Sequence, residues 1–197
     1  MNVKNIVPND EFNVIIGKNC VIGSYNKILD SAIQNNSLLT GNFINNTLVN
    51  NNATVKNSVV ENSEIGFSCV VGVFSHLRPN SKLLKNVKIG NFVETKNCLV
   101  GNNTKASHLT YIGDAEIGEN VNVGCGTIFC NYNGKIKQKT IVKNNVFIGS
   151  NSNLVAPIVV NENSFIAAGS TITNNVPKNT LAIARSKQIN KEDYYKE

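Results

Sequence analysis

Chemistry has few starting points in this chain, which holds only two histidines and two arginines. His108 lies in Lys105-Ala106-Ser107-His108-Leu109-Thr110-Tyr111-Ile112-Gly113-Asp114, a lone imidazole among polar residues. Imidazole takes up or releases a proton near neutrality. A solvated His at a turn has the same surroundings, and residue type alone leaves both readings open. His76, in Phe74-Ser75-His76-Leu77-Arg78-Pro79, has a blander context still. Two His cannot supply a three-imidazole metal site, so no metal is expected. The five Cys, at 20, 69, 98, 125 and 130, form no two-residue-spaced pair and are odd in number. That pattern fits neither a zinc knuckle nor a disulfide framework and reads as reduced, mostly buried thiols.

A repeat must position these residues. Stepping by six from Val142 meets Ile148, Leu154, Val160, Ile166 and Ile172. The same phase recurs at Ile65, Val71, Leu77, Leu83 and Ile89, in Ile112-Gly113, Ile117-Gly118 and Val123-Gly124, and earlier at Ile16, Ile22 and Ile28. Between about 33 and 64 the register is poorer. One inward aliphatic residue followed by a small one describes a short strand plus a tight corner. Three such hexads, about eighteen residues, close a triangular coil, and stacked coils bury an aliphatic column while pairing their backbones. The expected fold is all-β, a left-handed parallel β-helix; the hand is that known for hexapeptide solenoids and runs against the usual crossover preference.

Composition agrees. The chain has 36 Asn, four Pro and no Trp in 197 residues; Asn is poor in helix interiors and suits left-handed corners. No apolar stretch approaches the roughly 20 residues of a membrane span, and no charged segment followed by an apolar one opens the chain. A soluble, cytoplasmic protein is expected. The net charge of +6 is moderate and the Lys residues are scattered, so a nucleic-acid stripe is not indicated and an anionic small substrate explains the charge equally well. Two interruptions break the period. Asn131-Tyr132-Asn133-Gly134-Lys135-Ile136-Lys137-Gln138-Lys139-Thr140 reads as a projecting loop. After Asn174-Asn175-Val176-Pro177 the hexads stop, which divides the chain into a β-helix over 1–176 and a strand and tail over 177–197. Leu181-Ala182-Ile183-Ala184 is expected as a last strand, and Lys187 onward as a helical or frayed end.

Four segments resemble one bacterial family: Gly72-Val73-Phe74-Ser75-His76-Leu77-Arg78-Pro79, Gly90-Asn91-Phe92-Val93-Glu94-Thr95-Lys96, His108 through Gly118, and Asn131-Tyr132-Asn133-Gly134. The family is the acetyltransferase half of the bifunctional glucosamine-1-phosphate N-acetyltransferase / N-acetylglucosamine-1-phosphate uridyltransferases. The match runs ungapped from about Gly72 to Gln188 and is looser upstream. The Gly-rich loop of the uridyltransferase half has no counterpart here, so that activity is not expected.

The resemblance implies acetyl transfer from acetyl-coenzyme A to the amine of glucosamine 1-phosphate, for UDP-GlcNAc and the cell envelope. It implies His108 as general base, with Glu94 either orienting the imidazole or simply solvated. Arg78 and Lys96 would hold the sugar phosphate, the guanidinium as a bidentate fork and the ammonium as a point charge. Tyr111, Asn122 and Lys137 are implied as further sugar-phosphate contacts, Lys137 reaching a neighbouring subunit's cleft or else being a solvated loop charge. Cys125, Asn131, Tyr132, Ser150, Ala168 and Arg185 match the cofactor positions, with a backbone N–H near Cys125 facing the thioester oxyanion. The sequence departs from the family by Cys125 in place of Ala and Asn133 in place of Asp. Nothing near Cys125 in sequence would lower its pKa, which argues against an acyl-enzyme. A homotrimer is implied, and a separate nucleotidyltransferase is a conceivable partner. Two alternatives remain at this level: an acetyltransferase for another phosphorylated or nucleotide-linked amino sugar, and a non-catalytic scaffold.

Overall fold

A computed structural model describes residues 13–195. Over that span 26 short strands run from β1 (Ile15–Ile16) to β26 (Leu181–Ala182), with no helix among the described residues. All of them pair in parallel. One ten-stranded sheet forms the first face of a three-sided solenoid, and a branched sixteen-stranded sheet wraps the other two. No described helix is long and apolar enough to cross a membrane.

The hexad residues point inward. Ile65, Val71, Leu77, Leu83, Ile89, Ile112, Ile148, Leu154, Val160 and Ile166 are fully buried, and Phe129 is the largest of the enclosed side chains. Stacked aliphatics of this kind contribute about 1.5–3 kcal/mol each relative to exposure. Ile16, at the open first coil, remains 37% exposed.

The poor register between about 33 and 64 has a simple cause. The buried series there is Ile33, Leu39, Ile44, Val49, Val55, Val60 and Ile65, with steps of six, five and five. Coils of 16 residues result, as in the pairing of Lys27 with Phe43, Ala32 with Leu48 and Leu38 with Thr54. Further on, Glu64 pairs with Lys82, a coil of 18. The short steps turn on one left-handed residue, Gly41 (φ 70°), Asn46 (44°), Asn57 (44°) or Asn62 (45°), where the long ones use a two-residue turn ending in Asn36 or Asn52 (φ 60° at each). Of the 23 described non-glycine residues with positive φ, 15 are Asn, whose short amide tolerates this conformation. One corner also carries an amide ladder. Asn86, Asn103, Asn120, Asn145, Asn163 and Asn179 donate each to the next at 3.1–3.3 Å.

The irregular loop leaves the solenoid between β19 (Ile128–Cys130) and β20 (Thr140–Val142). Register lengthens there from 17 (Tyr111 with Ile128) to 25 (Ala115 with Thr140), so the insertion adds 25 − 17 = 8 residues. At the far end β26 pairs with β24 (Phe165–Ile166), and the strand expected after Pro177 thereby closes the last coil. The described tail from Lys187 contains no helix, contrary to the helical alternative; it packs against nothing that would bury an apolar face. All five Cys are free, but only Cys69 and Cys98 are buried; Cys20, Cys125 and Cys130 are half-exposed. Burial pushes the Cys69 and Cys98 thiols up to about 11.

Candidate active site

Register brings the His108 position and the implied cofactor positions into one line. His108 ends β16 (Lys105–His108) opposite Asn91, which ends β14 (Lys88–Asn91). The following corners stack: Gly126 N–H donates to Leu109 O at 3.0 Å, Asn151 N–H to Cys125 O at 2.8 Å, and Gly169 N–H to Ser150 O at 2.8 Å. His108, Cys125, Ser150 and Ala168 therefore lie one above another at the edge of the first face. Arg185 sits at the end of this line, its Cδ 3.8 Å from where a Cβ on Gly169 would be. The side chains of the line after His108 are small. Among the described residues, the backbone N–H groups of Cys125, Ser150 and Ala168 meet no protein acceptor, and such free donors suit carbonyl oxygens of a ligand.

The cations lie across that corner, on the second face. It carries β12 (His76–Leu77), β15 (Glu94–Val100) and β17 (Tyr111–Ile117), in which His76 faces Glu94 and Glu94 faces Tyr111. Arg78 Nη1 donates to Glu94 Oε1 at 2.8 Å. Glu94 thus pairs with Arg78, where the resemblance allowed it to orient His108; no hydrogen bond joins it to the imidazole. The pair raises the Arg78 pKa, chiefly through that hydrogen bond. A second pair, His76 Nε2 and Glu61 Oε2 at 3.0 Å, lies beside it.

Lys137, from the loop, comes to Lys96 within the same chain. Its ammonium is the largest cause lowering the Lys96 pKa, with Arg78 adding to the effect and Asp114 opposing it. Like charges disfavour one another's protonation. Arg78, Lys96 and Lys137 hence gather as cations on one open face, with Glu94 paired to Arg78, and such a grouping suits an anion. The loop is folded back by an antiparallel bridge between Tyr132 and Lys137 and by Gln138 N–H donating to Asn131 O at 2.7 Å. Asn133 Oδ1 accepts from Lys135 N at 3.0 Å and Ile136 N at 2.9 Å, a turn that Asp serves equally well.

Two implied residues occupy other surroundings. Asn122 starts β18 (Asn122–Val123) on the first face, between Lys105 and Phe147, away from the cation cluster. Asn131 is buried, and its amide donates to Asp114 Oδ2 at 2.5 Å and the Tyr111 hydroxyl at 3.3 Å. Tyr132 is exposed, its hydroxyl donating to Gly134 O at 2.7 Å. Asp114 and Gly113 had no role assigned from sequence. The 17-residue spacing of Asn97, Asp114 and Asn131 is the signal that could have marked them as neighbours.

The model of the family described as bacterial transferase hexapeptide (six repeats) matches residues 139–174. Bifunctional protein GlmU of Clostridioides difficile is 50% identical over 179 residues, which is 91% of this chain and 36% of that protein. The GlmU of Caldicellulosiruptor saccharolyticus is 62% identical over 132 residues, 67% of this chain and 28% of that protein. The chain is a hexapeptide-repeat relative of GlmU. It spans about a third of the length of the GlmU proteins it matches, for example 36% and 38% of two clostridial ones. Among solved structures, the UDP-N-acetylglucosamine acyltransferase LpxA from Bacteroides fragilis gives a TM-score of 0.60 at 18% identity, covering 85% of this chain and 66% of LpxA. A histidine-to-alanine mutant of GDP-perosamine N-acetyltransferase from Caulobacter crescentus, solved with CoA and GDP-perosamine, gives 0.51 at 15% identity, covering 58% of this chain and 53% of that one. At these identities the likeness is one of fold, the left-handed parallel β-helix. The GlmU likeness goes further. It spans both faces of the corner that separates His108 from the cation cluster.

Proposed function

We propose that this GlmU relative transfers the acetyl group of acetyl-coenzyme A to the amine of glucosamine 1-phosphate, giving N-acetylglucosamine 1-phosphate. The observation that carries the reading is the gathering of Arg78, Lys96 and Lys137 on one face, with the Lys96 pKa lowered by Lys137, one corner away from the line His108, Cys125, Ser150 and Ala168. A phosphate on the second face leaves the rest of a small sugar free to reach across Leu109 to the imidazole.

His108 removes a proton from the sugar ammonium, and the neutral nitrogen attacks the thioester carbonyl. The C–N bond forms and the C–S bond breaks, the sulfur leaving as the coenzyme A thiol with a proton. The Cys125 N–H is the donor that faces the oxyanion as charge develops. Small side chains at 125, 150 and 168 leave room for an extended pantetheine arm, and their free N–H groups suit its amides. Cys125 itself acts through its backbone. Tyr111 contacts the sugar from the second face, Asn122 contributes on the first, and Asn131 and Tyr132 shape the cofactor side of the loop. Arg185 at the column's end suits the coenzyme's phosphates.

We further propose a homotrimer that covers the exposed Phe74 and Phe92, whose rings stack at 5.5 Å. Coenzyme A release, followed with a thiol reagent, tests the function. Glucosamine 1-phosphate should be acetylated far faster than glucosamine. Equal use of the two would refute the phosphate reading, and preference for a nucleotide-linked amino sugar would favour the other acceptor class.

A further inference from the structure

Asp114 is a carboxylate in a column of amides. Asn80, Asn97, Asp114 and Asn131 follow one another at 17-residue intervals along one corner of the solenoid. The Asp114 backbone is left-handed (φ 49°) and its side chain is buried. Asn97 Nδ2 donates to Oδ1 at 2.6 Å and Asn131 Nδ2 to Oδ2 at 2.5 Å. Asn131 also reaches the Tyr111 hydroxyl at 3.3 Å, and its carbonyl takes the Gln138 N–H that closes the loop. Just before Asp114, Gly113 lies under the Tyr111 phenol, which fills the space a side chain would take. One carboxylate therefore holds, through one amide, both Tyr111 on the cation face and the base of the loop that carries Lys137. An amide at 114 offers one acceptor oxygen and turns an NH2 group against the second donor.

We propose that Asp114 is a positioning residue that fixes Tyr111 and the 131–139 loop in one geometry, so that the sugar-facing hydroxyl and the loop ammonium meet the acceptor together. The proposal rests on the reading of Tyr111 and Lys137 as acceptor contacts. Two other roles make different predictions. If Asp114 acted only through its charge beside Lys96, its neutralisation would strengthen the anion site and lower KM. If it served only the solenoid, its loss would add to any other substitution independently.

The test compares the full chain with Asp114→Asn, Tyr111→Phe and the double variant, by coenzyme A release with glucosamine 1-phosphate and by tryptic cleavage after Lys135, Lys137 and Lys139 well below the melting transition. Asp114→Asn should raise KM about three- to tenfold with kcat held within about twofold, as loss of binding shared by ground and transition states requires. In the Tyr111→Phe background the same change should raise KM by a clearly smaller factor, because only the part that acts through the loop and Lys137 remains. Loop cleavage should accelerate at least about fivefold in both backgrounds. A lowered KM, equal KM factors in the two backgrounds, or unchanged cleavage would each overturn the proposal. If the unmodified chain does not acetylate glucosamine 1-phosphate, the functional reading fails, and the cleavage rates alone decide whether Asp114 holds the loop. Should Asp114→Asn not fold, Asn131→Ala cuts the same link at its other end and is judged by loop cleavage alone: acceleration of at least about fivefold is expected, and unchanged cleavage overturns the proposal.

Discussion

Gly113→Ala separates stability from substrate binding at a single atom. A Cβ at this position would overlap the Tyr111 hydroxyl and lie 2.6 Å from Tyr111 Cζ and 2.7 Å from Asn131 Nδ2. These are ends of side chains, and the Gly113 backbone lies outside the positive-φ region, so the main chain accepts alanine while the phenol must swing away and the Asn131 amide must shift slightly on Asp114. Replacing glycine where alanine fits stabilises by about 0.4–1 kcal/mol through the unfolded chain. Losing the neutral Asn131 to Tyr111 bond costs about 0.5–1.5 kcal/mol. The two nearly cancel, and the melting temperature should stay within roughly 4 °C of the unmodified protein. Binding has no such compensation. A displaced hydroxyl worth about 1 kcal/mol to the acceptor raises KM for glucosamine 1-phosphate about fivefold, with kcat changed much less. Differential scanning fluorimetry and steady-state coenzyme A release read the two quantities on one preparation. A normally melting variant with unchanged KM would mean that the phenol's place over Gly113 has no part in binding.

Other outcomes follow from the same geometry. His108→Ala should lose about two to four orders of magnitude in kcat while melting normally, since an exposed imidazole at a corner adds little to the core; near-normal turnover at saturating substrates would remove it as the base. Arg78→Lys keeps the charge and loses the fork, so KM for the phosphorylated sugar should rise about tenfold and kcat should fall less; kinetics with and without the phosphate would show it. Lys137→Gln removes the main cause of the lowered Lys96 pKa, so the Lys96 titration, followed by NMR at its Nζ, should move upward. The sign is fixed, because a lysine with a lowered pKa loses its charge at lower pH than an ordinary one, and acceptor KM should rise with pH earlier in the unmodified chain than in this variant.

Most of the fold was legible because one inward residue per strand repeats wherever corners hold two residues. It blurred between 33 and 64 because an Asn can turn the chain alone or as the second of a pair, and the two look identical in sequence. The line His108, Cys125, Ser150 and Ala168 could not be read as a column from spacing alone, since the loop lengthens one step from 17 to 25. Local pairing was hidden for another reason. Glu94 has both Arg78 and His108 within a coil of it, and only the packing in three dimensions decides that it takes the guanidinium. Asp114 was unread because its partners, Asn97 and Asn131, sit one coil to either side, where a chain with 36 Asn offers amides nearly everywhere.

Why chemistry sits at some corners and not others follows from what each corner must do for the stack. The corner lined by Asn86, Asn103, Asn120, Asn145, Asn163 and Asn179 is uninterrupted through every coil of the candidate site, and its amide ladder together with the ladders of the first face holds the coil spacing. The remaining corners are thereby free to depart from the repeat. One accepts Phe74, Phe92 and Leu109 at φ of 57°, 56° and 44°, a conformation that costs bulky residues on the order of 1–2 kcal/mol each. The other accepts a buried carboxylate and an eight-residue insertion. The strained corner faces His108 and the inserted one carries Lys137, with the Arg78 face lying between them. The reacting groups are therefore gathered where the repeat is broken, and their alignment depends on the corner where it is not.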